Sequence, residues 1–294
     1  MAQTQAPIPF DKRDGFIWFN GQVVPWKEAK IHVLNHGLHY ASCVFEGIRV
    51  YNKKIFKLAE HTDRLFKSAE ILGFEIPYKK EEINDATREI VKIQGIENGY
   101  IRPAAWRGSE QMAILTNLTT TQVAIATWTW PAYYTDEAKL KGARLTMAQW
   151  RRPDPMTAPT QSKAAGLYMI STMSKNKAAK DGFAEALMLD YRGLIAETTS
   201  SNFFLVINGE VHTPVPDCFL DGITRRTVMD LARKSGIKVV ERQIKPEELA
   251  NAQEAFMTGT AAEVTPVASV DNYKFAVGPV CKRLMADYEA LVNR

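Results

Sequence analysis

Phe203-Phe204-Leu205-Val206-Ile207-Asn208-Gly209-Glu210-Val211-His212-Thr213 is the stretch from which the fold class follows. Two apolar, strand-prone runs flank an Asn-Gly pair. That pair favours a two-residue hairpin, because both residues accept the positive φ it demands. Just upstream, Ala186–Asp190 and Ile195–Thr198 read as another strand pair. Just downstream, residues 224–235 carry apolar positions at helical spacing, and 237–242 reads as a strand. Locally paired strands interleaved with helices predict a mixed α+β fold.

Working outward, the same signals recur. Phe16–Phe19 and Val23–Trp26 flank Asn20-Gly21, a second hairpin. Val44–Tyr51 and Ile55–Leu58 flank a turn. Residues 60–72 predict a helix with Leu65, Ala69 and Leu72 on one face and Gly73 at its C-cap. Ile83, Ile90 and Val91 mark another helix, ending near Gly95. Tyr100–Trp106 and Gln122–Trp130 are β-rich. The run from Pro131 to Asp136 reads as a linker, so the expected organisation is a domain over 1–130, a linker over 131–140 and a domain over 141–294. In the second domain, Arg144–Trp150 reads as a strand and 151–162, with Pro153, Pro155 and Pro159, as a loop. Helices are expected over 164–180 and 279–292, a short helix from Pro246, and a strand over 254–258.

Composition excludes several classes. The chain has 294 residues, 46% hydrophobic and 24% charged, enough for about two globular domains. The net charge of +4 is spread thinly, with no run of five like charges, so neither a nucleic-acid tail nor a polybasic membrane anchor is indicated. No apolar stretch reaches the roughly 18 residues of a membrane helix. The first residues lack the apolar core of a signal peptide. Cys43, Cys218 and Cys281 are far apart and odd in number, which fits reduced thiols in a cytoplasm. No metal site is expected. His32, His36 and His39 cluster, but in a loop-like segment where hydrogen bonding is the simpler role.

Five groups of residues could carry chemistry. Leu220-Asp221-Gly222-Ile223-Thr224-Arg225-Arg226 opens a helix, where backbone N–H groups can receive an anion, although Thr224 as a plain N-cap is the simpler reading. Met257-Thr258-Gly259-Thr260-Ala261-Ala262-Glu263 follows a strand, and its small residues allow close backbone approach to a ligand. Lys163 sits at an element junction among neutral neighbours, as a carbonyl-reactive amine requires. Glu197 ends a strand and precedes four hydroxyl residues. Arg49, Arg64 and Arg102 stand in apolar surroundings and suit carboxylate or phosphate. Taken singly, each has a structural reading. Together they supply what pyridoxal phosphate chemistry needs: a Schiff-base lysine, an acid for the pyridine nitrogen, a phosphate cup and a carboxylate holder.

The ordered runs Leu38-His39-Tyr40, Val44-Phe45-Glu46-Gly47-Ile48-Arg49, Glu60-His61-x-x-Arg64-Leu65, Tyr100-Ile101-Arg102-Pro103, Lys163-Ala164, Asp221-Gly222-Ile223-Thr224-Arg225 and Gly259-Thr260-Ala261-Ala262-Glu263-Val264-Thr265-Pro266 resemble the class IV (fold-type IV) pyridoxal-phosphate aminotransferases. They are most similar to the bacterial branched-chain amino acid aminotransferases. The resemblance implies a two-domain fold with a small N-terminal α/β domain and a larger β-barrel-like domain with flanking helices. It implies transamination of leucine, isoleucine and valine with 2-oxoglutarate by a ping-pong route through a Lys163 Schiff base (aldimine). Glu197 would face the pyridine nitrogen and Tyr168 the ring oxygen. Arg64, the Ile223 and Thr224 amides and Thr260 would hold the phosphate, with Leu220 also in the cofactor pocket. Tyr100 and the amides of Thr260 and Ala261 would hold the substrate α-carboxylate. Phe45, Trp130 and Tyr133 would wall the side-chain pocket, with Gly47 and Arg49 beside it. Arg102 would meet the distal carboxylate of glutamate, helped by Tyr40 of the partner subunit. The loop 110–115 would cross into the neighbouring site, so a homodimer is the smallest expected unit, and hexamers also occur in the family.

Two places depart from the pattern. Ser200-Ser201-Asn202 is closer to the D-amino acid aminotransferases and lyases of the same fold, and Ala113 stands where glycine is usual. The alternatives are therefore a D-amino acid aminotransferase, an aminodeoxychorismate lyase, or a silent binding protein that kept the fold. Lys163 and Glu197, which folding does not require, speak against the last.

Overall fold

The computed structural model describes residues 8–130 and 140–293. The chain divides into two compact units, Met1–Trp130 and Pro131–Arg294. The linker expectation falls almost wholly on residues outside those described, as does Tyr133. No helix among the described residues is long and apolar enough to cross a membrane.

The first unit is a seven-stranded sheet. Its strands are β1 (Phe16–Phe19), β2 (Gln22–Pro25), β3 (Cys43–Phe45), β4 (Ile48–Tyr51), β5 (Lys54–Ile55), β6 (Gly99–Arg107) and β7 (Thr121–Thr129). The order is β2-β1-β7-β6-β4-β5, with β3 also on β6, and every pairing is antiparallel. The short helix α1 (His36–Tyr40) precedes β3, and α2 (Leu58–Ile71) and α3 (Lys80–Ile93) pack together. Leu65 and Ala69 of α2, Ile83 and Ile90 of α3, and Val44, Ile101, Val123 and Ile125 of the sheet share one core.

Val44–Tyr51 reads in sequence as one strand, but the chain breaks at Glu46-Gly47. Opposite the break lies Pro103 of β6, between the registers Phe45↔Ala104 and Ile48↔Ile101. Proline has no N–H to give to a ladder. The Pro103 carbonyl instead accepts from the Glu46 N–H at 2.8 Å. Of the histidine segment, expected as loop, His36 and His39 lie in α1, and His32 stays outside it. His36 is buried and bonds Ser42 and the Ala113 carbonyl, and His39 bonds the Val33 carbonyl at 2.9 Å.

The second unit holds β8 (Ala143–Met147), α4 (Tyr168–Lys180), β9 (Glu185–Leu189), β10 (Ile195–Thr198), β11 (Asn202–Ile207), β12 (Glu210–Pro214), α5 (Ile223–Lys234), β13 (Val239–Arg242), β14 (Glu254–Gly259), β15 (Glu263–Val270), β16 (Tyr273–Lys274) and α6 (Pro279–Val292). The strands β10-β9-β8-β15-β14-β11 run in that order, and β11 pairs back onto β10, which closes a six-stranded barrel. The hairpin expected over residues 203–213 is β11–β12, turning on Asn208 (φ 51) and Gly209 (φ 78).

The barrel interior gathers alternate residues: Leu145, Leu187, Phe203, Leu205, Ala255, Met257 and Val267. The intervening Phe204, Val206 and Phe256 are buried too, because α5 and α6 cover β14 from outside. Phe204 and Phe256 stack with centroids 4.7 Å apart. Both faces of these strands are therefore apolar, which is why they read as near-continuous hydrophobic runs.

Candidate active site

Each unit carries its own cluster of the residues singled out by sequence. In the second unit, Lys163 precedes a 3-10 turn (Ala165–Leu167) that leads into α4. Its Nζ lies 2.6 Å from the Tyr168 hydroxyl at the start of α4. Lys163 is half-buried between buried Ser162 and Ala164.

Glu197, on β10, is buried. Its Oε1 lies 3.1 Å from Nη2 of Arg152, whose side chain is only 5% exposed. Its Oε2 accepts from Nδ2 of Asn202 at 3.3 Å. Burial pushes the Glu197 carboxyl above its ordinary range, and the positive charges of Arg152 and Lys163 pull the other way. Sequence reading missed Arg152: a lone arginine in a proline loop carries no motif, and only the fold brings it to Glu197.

The four hydroxyl residues after Glu197 build the turn between β10 and β11. Thr198 and Ser201 bond across it, and the Thr199 and Ser200 hydroxyls donate to buried Glu185. Asn202 then bonds both Glu197 and the Leu220 carbonyl, the latter at 2.9 Å. It thereby ties the strand end to the half-buried loop that opens α5.

That helix does not start on Thr224. Its N-cap is Gly222, and no side chain caps it. A Cβ on Gly222 would lie 2.1 Å from Oδ1 of Asn202, so no larger residue fits there. Ile223 and Thr224 are therefore in the first turn, both buried, with amides that have no partner within the helix. Arg225, 1% exposed, anchors this start through Asp221 (2.8 Å), Glu241 (2.9 Å) and the Pro214 carbonyl (3.0 Å). Half-buried Thr260 and Ala261 lie in the turn from β14 to β15. Among the described residues, the Thr258 hydroxyl just before them is buried without a hydrogen-bond partner. A half-buried amine, a charge-paired buried acid and a buried helix start without a side-chain cap form a donor set that fits an aldehyde-bearing pyridine phosphate.

In the first unit, Tyr100 and Arg102 alternate with buried residues along β6. Nη2 of Arg102 donates to the Tyr100 hydroxyl at 3.2 Å, and its guanidinium lies 4.6 Å from the Phe45 ring centre. Gly47 makes room for Tyr100: a Cβ there would stand 1.9 Å from the phenol oxygen. Arg49 pairs with Tyr100 across the strands and is 5% exposed. Among the described residues, Nε and Nη1 of Arg49 and Nε of Arg102 are buried without hydrogen-bond partners. Unpaired buried guanidinium donors are costly, and a carboxylate ligand relieves them. Trp130 packs on the Tyr100 ring, with centroids 4.7 Å apart. Arg64 of α2 is held by Glu46. Tyr40 is 45% exposed at the end of α1.

Among the described residues, Asp190, Asp217 and Cys218 also bring three possible metal-ligand atoms together. Arg192 bonds both carboxylates, at 2.7 and 2.8 Å, so a guanidinium already offsets part of that charge.

Comparison with known proteins gives consistent matches. The family model "Amino-transferase class IV" matches residues 43–270. The chain is 42% identical over 288 residues to the branched-chain-amino-acid aminotransferase of Pseudomonas aeruginosa, covering 96% of this chain and 94% of that one. Among solved structures, the T.th. branched-chain amino acid aminotransferase with pyridoxamine 5'-phosphate superposes with a TM-score of 0.93 at 40% identity, covering 96% of both chains. The same enzyme complexed with N-(5'-phosphopyridoxyl)-L-glutamate gives 0.91 at 39% identity, covering 96% of this chain and 95% of that one.

Proposed function

The chain belongs to the class IV aminotransferases, and on that premise we propose that it exchanges amino groups between branched-chain L-amino acids and 2-oxoglutarate, using pyridoxal 5'-phosphate. The observation that carries this reading is the trio in the second unit: Lys163 against Tyr168, Glu197 against Arg152, and the uncapped start of α5. When bound, the cofactor supplies an aldehyde for the amine and a ring that draws off the charge left at the substrate Cα.

The protein's own groups do the rest. Lys163 would hold the cofactor through its Nζ, and the same nitrogen, when free, would take the substrate Cα proton as general base. Tyr168, 2.6 Å from that nitrogen, orients it. Glu197 would face the ring nitrogen, where a negative carboxylate would keep that nitrogen protonated; Arg152 and Asn202 fix the direction of the carboxylate. By the family pattern, the Ile223 and Thr224 amides, Thr260 and Arg64 would hold the phosphate, beside Leu220. Tyr100 and the amides of Thr260 and Ala261 take the α-carboxylate. Phe45, Gly47, Arg49, Trp130 and Tyr133 shape the side-chain pocket. Apolar walls separate substrates that differ by a methylene only weakly, by about 10–200-fold, so overlapping use of leucine, isoleucine and valine follows. Arg102, with Tyr40 of the partner subunit, receives the distal carboxylate of glutamate.

The domain assignment of 1–130 and 141–294 joined by 131–140 belongs to this reading, as do a homodimer or a higher assembly and a cytoplasmic setting. Support for the dimer comes from Val33, Leu38, Ile114 and Leu115, each more than 60% exposed, on segments that His36 joins by hydrogen bonds to the Gly108 and Ala113 carbonyls. Chiral analysis of turnover with L- or D-leucine and 2-oxoglutarate tests the reaction. L-Glutamate formed from L-leucine alone is expected; turnover of D-leucine alone would overturn the substrate assignment in favour of the D-amino acid enzymes.

A further inference from the structure

Glu46 sits in the break between β3 and β4 and has no solvent exposure. Its carboxylate accepts from Nε and Nη2 of Arg64 at 2.6 and 2.9 Å, from Nδ1 of His61 at 2.7 Å, and from the Gly47 N–H at 3.3 Å. His61 and Arg64 stand three residues apart on α2, so they share one helix face and converge on the same acid. His61 is nearly as buried as Glu46, whereas the Arg64 side chain keeps 16% exposure.

A buried carboxylate is a poor source of stability in itself, because desolvation offsets most of the attraction. What the bidentate pair does supply is geometry. Two parallel N–H···O bonds fix the plane of the guanidinium, which a single contact leaves free to turn. The Glu46 carboxylate is in turn fixed by its own backbone: its N–H donates to the Pro103 carbonyl, at the point where proline breaks the ladder. Burial alone would raise the Glu46 carboxyl, but Arg64 and His61 outweigh it and keep the group well below the usual carboxylate range, so it stays charged.

We propose that Glu46, braced by His61, is a positioning residue that fixes the guanidinium of Arg64 for the phosphate of the cofactor. This rests on the reading that Arg64 holds that phosphate. It gives the run Phe45-Glu46-Gly47 three tasks: Phe45 stacks on Arg102, Glu46 orients Arg64, and Gly47 admits the Tyr100 phenol.

The test compares binding of pyridoxal 5'-phosphate with binding of pyridoxal, which lacks the phosphate, to cofactor-free protein by absorbance and tryptophan fluorescence. Glu46→Gln is expected to weaken pyridoxal 5'-phosphate about 10–100-fold, the usual cost of losing a partner that orients a ligand-holding group, and to leave pyridoxal nearly unchanged. Arg64→Ala should show the same selectivity, and the double variant should be no worse than Arg64→Ala alone, because both act through one guanidinium. Should Glu46→Gln fail to fold, His61→Leu gives a smaller loss of the same selective kind, and His61→Asn, which restores a donor near Nδ1, recovers it. Equal losses for both ligands, or none, in the Glu46 and His61 variants would overturn the proposal while Arg64→Ala remained selective. An Arg64→Ala variant without selectivity would overturn the phosphate reading itself, and the proposal with it.

Discussion

Replacing Arg152 by Met probes how the fold maintains Glu197. The guanidinium is 3.1 Å from the carboxylate, and both side chains are nearly inaccessible, at 5% and 11%. Met fills much of the same volume but removes the charge. Deleting one member of a buried ion pair costs about 3–5 kcal/mol, because the other charge stays buried without its partner. In a chain of this size about 2–4 °C of Tm accompanies each kcal/mol, so scanning calorimetry of the cofactor-free protein should record a drop of about 6–20 °C. Asn202 and Lys163 remain near Glu197 and place the result toward the lower end.

The pH dependence has a definite sign. Burial already raises the Glu197 carboxyl, and Arg152 is one of the two charges that lower it again. Without Arg152 the group rises further. The unfolded chain ionises at the ordinary glutamate value, so between that value and the folded one the unfolded state holds fewer protons. Stability from this group is then complete below the ordinary value and is lost as pH rises through the folded one. The Arg152→Met protein should therefore lose Tm with rising pH more steeply than the parent. Adding Glu197→Gln should flatten the profile and recover much of the loss, since no buried charge is then left unpaired. A Tm within about 2 °C of the parent, with a parallel pH profile, would refute the reasoning.

Three further substitutions follow from the same geometry. Glu197→Gln should lower kcat about 100–1000-fold, with KM changed far less, because its contribution is to charge that develops in the reaction; a raised KM at constant kcat, in steady-state kinetics, would contradict this. Arg102→Ala should lower kcat/KM for glutamate about 10–150-fold, the worth of one charge-assisted hydrogen bond, and spare leucine; equal losses on the two substrates would remove Arg102 from the distal-carboxylate role. Gly47→Ala places a Cβ 1.9 Å from the Tyr100 hydroxyl and must displace it. KM should rise for leucine and glutamate alike, while circular dichroism stays unchanged; an unaltered KM would mean Tyr100 does not hold the carboxylate.

Local patterns made much of the architecture legible, and they failed where long-range packing decides. The Asn208-Gly209 hairpin and the helices over α2, α3, α5 and α6 follow from turn chemistry and periodicity, which are properties of neighbouring residues. The strand β15 had no such signal. Pro266 stands in its middle, yet it pairs with β14 at Phe256↔Pro266 and runs parallel to β8. Barrel closure supplies partners that no window of sequence contains. Thr224 looked like a cap because threonine favours that position, but the N-cap lies two residues earlier, at Gly222, where Asn202 crowds out a Cβ. In the candidate site, Lys163, Glu197 and the start of α5 carry recognisable runs. Arg152 and Glu46 do not announce their roles, because those roles consist of holding another side chain, and only tertiary contact reveals which one.

The central claim is that Lys163 is the residue that carries the cofactor. Reducing the holoenzyme with sodium borohydride fixes the cofactor covalently to whichever lysine bears it, and peptide mapping by mass spectrometry then locates the added phosphopyridoxyl mass. That mass is expected on the peptide containing Gln161-Ser162-Lys163-Ala164, at Lys163 and on no other lysine. A phosphopyridoxyl group on a different lysine, with Lys163 unmodified, would contradict it.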